Sequence, residues 1–318
     1  MDVLSDAVTM MRTGRPHSNR NRLRAPWGMR FPPTDGAGFH IVLSGTCWLL
    51  PADAEPLRLA TGDIVLLPRE PGHAIADDPG SPLTEVRIGD RNLDGEPGGG
   101  AVTELVCGAY VLDRSRPHPL LAGLPDIIHL PAHLGRHPRL EAAVGLLGAE
   151  LAEPRAGTGA SVSALLDLLL LYMLRGWFYD QSAASSAGWP AALADPAVSA
   201  ALHAMHTEPE APWTVHALGE RAGLSRSVFA QRFTALVGRP PLGYLTWWRM
   251  TVAAKLMRET DAPLLAVARR CGYSSEFAFA KAFKREFGAT PGAFRRLAGP
   301  DPGGRTAHSA SRQSGWQQ

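Results

Sequence analysis

The rhythm of hydrophobic and polar positions changes three times along the chain. Asp2 to Met11 has the spacing of a short helix, and the Arg-rich, Pro-containing stretch from there to Pro33 reads as loop. From Phe39 short β-favouring runs alternate with Gly, Pro and Asp. FHIVLSG, TCWLL, PLRLATGD and IVLLP read as strands and tight turns, followed by strand-like runs at Leu83–Ile88 and Leu105–Leu112 around a Gly-rich EPGGG loop. Short strands at this spacing predict a small β-barrel or sandwich. Past Pro138 the period becomes helical, with two strongly apolar segments, Leu140–Leu151 and Val162–Tyr179, joined by PRAGTG. Residues 183–195 are small and polar and read as an interdomain linker.

Beyond the linker the chain repeats itself. AGLSRSVFAQRFTALVGRPPLGYL lies over CGYSSEFAFAKAFKREFGATPGAFR, so that Phe229, Phe233, Gly238, Pro241 and Tyr244 match Phe279, Phe283, Gly288, Pro291 and Phe294 at an offset of 50. Upstream the offset is 49, pairing Leu218 with Val267 and Gly223 with Gly272, which puts one extra residue in the second turn. Each copy has the grammar of a helix-turn-helix: a short apolar helix, then a Gly where the chain turns sharply, then a serine able to cap the next helix. Ser225 is the cap candidate in the first copy, Ser274 or Ser275 in the second. The helix that follows carries an aromatic stripe, Phe229/Phe233 and Phe279/Phe283/Phe287. Between the copies Pro241 to Glu259 reads as one long connecting helix, ended by DAP.

The stripe decides what faces outward. At about 100° per residue, Ser227, Gln231 and Thr234 lie opposite the first stripe, and Phe277, Lys281 and Lys284 opposite the second. Gln suits adenine, Lys the guanine acceptors and Phe the thymine methyl. Arg226 and Glu276, at the helix starts, are further base-reading candidates. Arg232, Arg249, Arg269, Arg270, Lys284 and Arg285 are candidate phosphate contacts. A connecting helix of this length is expected to hold the two reading helices one turn of duplex apart, ~34 Å.

Charge sharpens this picture. Hydrophobic residues make up 45% and charged residues 19%, an ordinary globular balance, and the net charge of +2 looks neutral. Yet residues 1–195 hold 16 Arg against 22 Asp/Glu, a net of −6, while 196–298 hold 14 Lys/Arg against 7 acids, a net of +7. Only the back half is built to meet a polyanion, here double-stranded DNA. Cys47, Cys107 and Cys271 are odd in number and unpaired in spacing, which argues against a disulfide framework or a zinc finger and for a reducing compartment. The start MDVLSDAVTMMRTGR has no long apolar run before a cleavage site. Val162–Phe178 contains Ser163, Asp167 and Arg175 and reads as a buried helix rather than a membrane span. The expectation is a soluble, cytoplasmic protein.

At these residues the chain resembles the AraC/XylS family of transcription regulators. GYSSEFAFAKAFKREFGATPGAFRR closely follows that family's signature, and RMTVAAKLMRETDAPLLAVARRCGY matches its connector helix and second-unit entry. The resemblance implies two recognition helices on successive major-groove faces and direct contact with RNA polymerase. Ala230 and Ala280 stand where the family often places polar contact residues. The front half is similar to the family's cupin-type sensor domain: GDIVLLPREPGH, Gly62 to His73, parallels the second cupin motif. The first motif is largely missing, with only His40 remaining. The implied architecture is α+β: a cupin-like barrel over 1–134, a helical dimerisation region over 135–182, the linker, an AraC-type DNA-binding domain over 196–298 and a disordered tail over 299–318.

His40, Trp48, His73 and Cys107 are the candidate effector contacts in the barrel. Two imidazoles fall short of the three or four ligands of a firm metal site, and Pro131, Gly135 and Pro138 break any helix that would align His129, His133 and His137. No metal or other cofactor is therefore expected. Cys47 and Cys107 would sense oxidants only if exposed and thiolate-prone. The expected function is a homodimeric, effector-controlled, sequence-specific DNA-binding regulator. The alternatives are a metal-dependent cupin enzyme fused to a DNA-binding domain, or a constitutive regulator with a structural barrel.

Overall fold

The computed structural model describes residues 3–11, 14–34, 36–69, 71–86, 99–112, 118–132, 135–182 and 188–298. The expected tail, 299–318, and His133 lie outside them. Helix α1 (Val3–Met11) forms as its spacing predicts. The Arg-rich stretch expected to be loop instead makes two strands, β1 (His17–Arg24) and β2 (Gly28–Phe31). Strand β1 is an edge strand. Asn21 and Leu23 are buried while Arg22 and Arg24 are exposed, so the alternation is real but written in polar residues.

The expected strands follow as β3 (Ala37–Ser44), β4 (Thr46–Pro51), β5 (Leu57–Ala60) and β6 (Ile64–Leu67). Further strands are β7 (His73–Ala76), β8 (Thr84–Glu85), β9 (Val102–Tyr110) and β10 (Ile128–Leu130), with the one-turn helix α2 (Pro119–Ala122) before the last. They form two five-stranded sheets, ordered β1-β9-β3-β6-β10 and β5-β4-β7-β2-β8. Leu23, Val42, Val65, Leu67, Leu105 and Cys107 from the first sheet share one core with Met29, Cys47, Leu49, Leu59 and Ile75 from the second.

Helices α3 (Pro138–Ala152) and α4 (Thr158–Ser182) cover the outer face of the first sheet. Arg20 Nη1 donates to Gly148 O of α3 at 2.9 Å, and Tyr110 Oη to Leu166 O of α4 at 2.9 Å. Helix α4 runs longer than its apolar stretch, and by length and composition Thr158–Gln181 is long enough to cross a membrane. In the fold it buries Leu166, Leu169, Leu170, Met173 and Leu174. On the same face Phe39 lies across Gly108: a Cβ at Gly108 would sit 2.5 Å from the ring and from His17 O.

The expected linker is not all connector. Residues 183–187 lie outside the described set, but Gly188–Ala194 forms helix α5, anchored by buried Trp189 and Ala192. Seven helices follow: α6 (Pro196–Thr207), α7 (Val215–Arg221), α8 (Arg226–Val237), α9 (Pro241–Glu259), α10 (Leu264–Arg270), α11 (Glu276–Phe287) and α12 (Pro291–Ala298). The chain forms two compact units, Met1–Glu208 with Trp213–Tyr244, and Pro209–Pro212 with Leu245 onward.

The Phe39–Gly108 contact leaves no room for a side chain. Gly108→Val is expected to destabilise the protein by about 1–3 kcal/mol in urea unfolding, with partial recovery when Phe39→Ala opens the space; wild-type stability in the single variant would refute the contact.

Candidate DNA-reading helices and the barrel interior

In the first unit, Thr214 caps α7 by accepting from Ala217 N, and Ser225 caps α8 by accepting from Val228 N. Between them Gly223 takes φ +68°, where a β-carbon would be strained, and Leu224 N donates to Gly219 O at 2.9 Å. In the second unit the corresponding turn glycine is Gly272, φ +76°, and Tyr273 N donates to Ala268 O at 2.9 Å. Of the two serines expected to cap the second reading helix, Ser275 does so, accepting from Ala278 N, and Ser274 does not. Helices α7 and α10 have 7 residues each, α8 and α11 have 12 each, and both reading helices end on a left-handed glycine, Gly238 and Gly288. The duplication seen in the sequence is thus a duplication of hydrogen bonds.

Phe229, Phe233, Phe279 and Phe283 are fully buried. The opposite faces are exposed: Ser227, Gln231 and Thr234 on α8, and Phe277, Lys281 and Lys284 on α11. Phe277 is 81% exposed, a large cost in water for a residue with no packing role. Arg226 and Glu276 are exposed at the helix starts. Thr234 turns its hydroxyl back onto Ala230 O at 2.7 Å.

The basic residues divide. Arg269, Arg270, Lys284 and Arg285 are exposed. Arg249, expected at a phosphate, points inward instead. Its Nε donates to Pro209 O at 2.6 Å and its Nη2 to Ala211 O at 2.8 Å, binding the 209–212 segment to α9. Arg232 is held by the carboxylate of Asp195, its Nε 2.7 Å away. The same carboxylate caps α6 by accepting from Ala197 N and Val198 N, so this guanidinium is committed within the fold. Sequence reasoning passed over Arg221, exposed in the last turn of α7 and the counterpart of Arg270 at the offset of 49; the repeat itself was the signal.

Within the barrel, β3 and β7 bring His40 and His73 together across the two sheets, Nε2 to Nε2 at 2.6 Å. His40 Nδ1 lies 3.1 Å from Cys107 Sγ, and the Phe31 ring stacks on His73 at 4.9 Å. Burial, with His73 adding repulsion, holds His40 well below the ordinary imidazole value, and burial lowers His73 to about 4. Both rings are therefore neutral at pH 7, and one supplies the shared proton. Burial pushes the Cys47 and Cys107 thiols up to about 12, so neither is thiolate-prone. Trp48 does not line the interior: Cys47 and Leu49 point inward from β4, and the strand period turns Trp48 outward. His129 lies on a strand facing Asp63 and His137 faces Asp180, so these two do not converge.

A two-sheet barrel backed by a helical pair, with tandem capped helix-turn-helix units, defines a DNA-binding transcription regulator. The family model described as Cupin matches residues 2–179, and one described as a helix-turn-helix domain matches 218–297. The chain is 35% identical over 301 residues to an AraC-like transcription regulator of Streptomyces lividans, covering 93% of this chain and 98% of that one. It is 28% identical over 304 residues to the HTH-type transcriptional regulator MtrA of Neisseria gonorrhoeae, covering 94% and 99%. Among solved structures, the DNA-binding domain of AdpA in complex with a target DNA is 34% identical, covering 32% of this chain and 92% of that one, at a TM-score of 0.31. The chain belongs to the family of AraC-like transcription regulators.

The histidine pair makes stability depend on pH with a defined sign. An unfolded chain protonates His73 near 6.5 and the folded one near 4, so between those values the unfolded state binds more protons. The contribution is complete above the unfolded value and drains away as pH falls toward the folded one, by at most about 3 kcal/mol from this residue. Urea unfolding at stepped pH should show the slope, and His73→Gln should flatten it; an unchanged slope in the variant would assign it elsewhere.

Proposed function

We propose that this regulator reads its operator with two matched side-chain sets, Ser227, Gln231 and Thr234 on α8 and Phe277 and Lys281 on α11, with Lys284 at the position equivalent to Thr234 left to hold a phosphate. The observation that carries the proposal is their equivalence. Both sets stand exposed, opposite a buried phenylalanine pair, on serine-capped helices of 12 residues. Arg226 and Glu276 stand beside them, and Arg221, Arg269, Arg270, Lys284 and Arg285 supply phosphate contacts. An effector acts through the barrel, where His40, His73 and Cys107 form a polar island in an apolar core and His73 Nδ1 has no partner among the described residues. The protein works in a reducing cytoplasm and contacts RNA polymerase. It acts as a homodimer through α3 and α4, which expose Leu146, Leu168 and Tyr179.

The operator is first selected from random-sequence duplexes with the full chain. Gln231→Ala and Lys281→Ala are each then expected to weaken operator binding roughly 10–100-fold while leaving random DNA unaffected. Arg269→Ala should weaken both alike and lower the salt slope by about one. Two reading variants that bind the operator like wild type would sink the assignment. Separately, Leu146→Glu is expected to shift sedimentation from dimer to monomer, and a variant that sediments like wild type would remove the α3–α4 interface.

A further inference from the structure

A cleft outside the barrel gathers cationic groups that neither the barrel core nor the DNA face uses. It opens between the first turn of α3 and the second half of α4 and has a volume of about 250 Å³. Sites for drug-sized molecules run from roughly 300 to 1,000 Å³, so this one suits a smaller metabolite. Its walls are apolar and aromatic, from Pro138 and Leu140 on α3 and from Tyr172, Gly176 and Tyr179 on α4. Gly176 is buried under His137, and a Cβ there would lie 3.4 Å from the imidazole ring.

Three guanidiniums meet at this cleft, and one is already neutralised. Arg136 donates from Nε and Nη2 to Asp180 Oδ1 at 3.1 and 2.9 Å, and His137 Nε2 lies 3.4 Å from the other oxygen. Glu141, in the first turn of α3, accepts from Gly135 N at 3.3 Å. Arg139 and Arg175 have no carboxylate partner among the described residues. Arg175 lies over the Tyr172 ring, 5.6 Å from its centroid, which sets its guanidinium beside an aromatic wall. This runs against the local trend of charge. Residues 1–195 carry a net −6, yet among the described residues no acid lines the cleft. Two unmatched positive charges thus face one small space with apolar walls, where their field is focused rather than lost to solvent. Helix α3 starts at the same place with no side-chain cap, so the positive end of a 15-residue helix adds to that field.

We propose that this cleft is a second small-molecule site, built for an organic dianion: a phosphate monoester or a dicarboxylate carried on an aromatic or alkyl body. Arg139 and Arg175 match its two charges with charge-assisted hydrogen bonds, and the body lies against Pro138, Leu140 and Tyr172. A monoanion leaves one guanidinium unmatched. A bare inorganic anion leaves the apolar wall in water. Because Arg139 belongs to α3 and Arg175 to α4, the bound dianion bridges the two helices. The site shares no residue with the histidine cluster of the barrel, so it stands whether or not that cluster senses an effector.

The test is calorimetric titration of the full chain with phenyl phosphate and with phthalate, set against benzoate and inorganic phosphate. At least one of the two organic dianions is expected to bind once per chain, roughly 10-fold or more tighter than benzoate or inorganic phosphate. Arg139→Gln and Arg175→Gln should each weaken that binding roughly 10-fold or more, and Arg175→Lys, which keeps the charge, should weaken it less. Both arginines are exposed, so these variants are expected to fold, and urea unfolding checks that they do. Arg155→Gln removes a guanidinium paired with Glu153 beyond the other end of α3 and should leave binding unchanged. Failure of both dianions to bind would overturn the site, as would inorganic phosphate binding as tightly as either. Binding that survives in the Arg139→Gln, Arg175→Gln double variant would put the ligand elsewhere, the barrel included, and would overturn it too.

Discussion

Burying two phenylalanines one turn apart is the constraint on which the DNA-binding half depends. Phe229 with Phe233, and Phe279 with Phe283, reach zero exposure, and each such side chain contributes roughly 1.5–3 kcal/mol by leaving water. That stabilisation fixes the rotation of each reading helix about its own axis. Once the rotation is fixed, the outward residues follow from helix geometry alone, with no contact needed to hold them out. The serine caps and turn glycines fix the other degrees of freedom, where each helix begins and how sharply it leaves its predecessor. Hydrophobic burial thus selects the exposed face by exclusion, and on the proposed reading the polar residues on it are free to be chosen for DNA contact.

The barrel uses the opposite arrangement. Its interior buries polar groups that only partly satisfy one another: His40 lies against His73 and Cys107, inside a shell of Leu, Val, Met and Phe, and His73 Nδ1 has no partner among the described residues. Such a cluster is poised between two demands, because each ring must stay neutral and each must share its protons with the other. A bound group that competes for one of those protons would be felt at both sheets, since the histidine pair is a cross-link between them. The thiols are kept protonated by the same burial, so the cluster's sensitivity lies in its hydrogen bonds and not in thiolate chemistry.

Sequence alone was informative where one residue type has one structural meaning. Gly223 and Gly272, Ser225 and Ser275, and the phenylalanine stripes could be placed because a sharp turn, a free helix end and a buried helix face each demand a narrow choice. It was uninformative where a residue type serves two ends. The arginines of β1 conceal an edge strand because only one face of such a strand has to be apolar. GWPAALA in α5 carries two buried anchors in a run that otherwise reads as a spacer. Arg249 and Arg232 have the same side chain as Arg269 and Arg270, yet backbone carbonyls and Asp195 claim the first two. Trp48 was misassigned for a different reason: the period of two along β4 excludes Trp48 from any face that holds Cys47 and Leu49, a test the sequence permits.

The divergence between the copies completes the physical argument. Helices α10 and α11 expose Arg269, Arg270, Lys281, Lys284 and Arg285 with Glu276, whereas α7 and α8 expose Arg221, Arg226 and Arg232 with Glu220, and Asp195 already holds Arg232. Affinity from counterion release grows with the number of phosphates neutralised, so on the proposed reading the second copy supplies most of the sequence-independent grip. A controlled element works best where it decides the outcome without having to overcome the whole binding energy. On the proposed reading the first copy meets that requirement, since it adds base contacts at small electrostatic cost, and its core ring Tyr244 carries a hydroxyl, bonded to His206 of α6, where the second copy has Phe294. The repeat thus presents two exposed helix faces of the same geometry that differ in free positive charge and in one core hydroxyl, and on the proposed reading that difference divides specificity from grip.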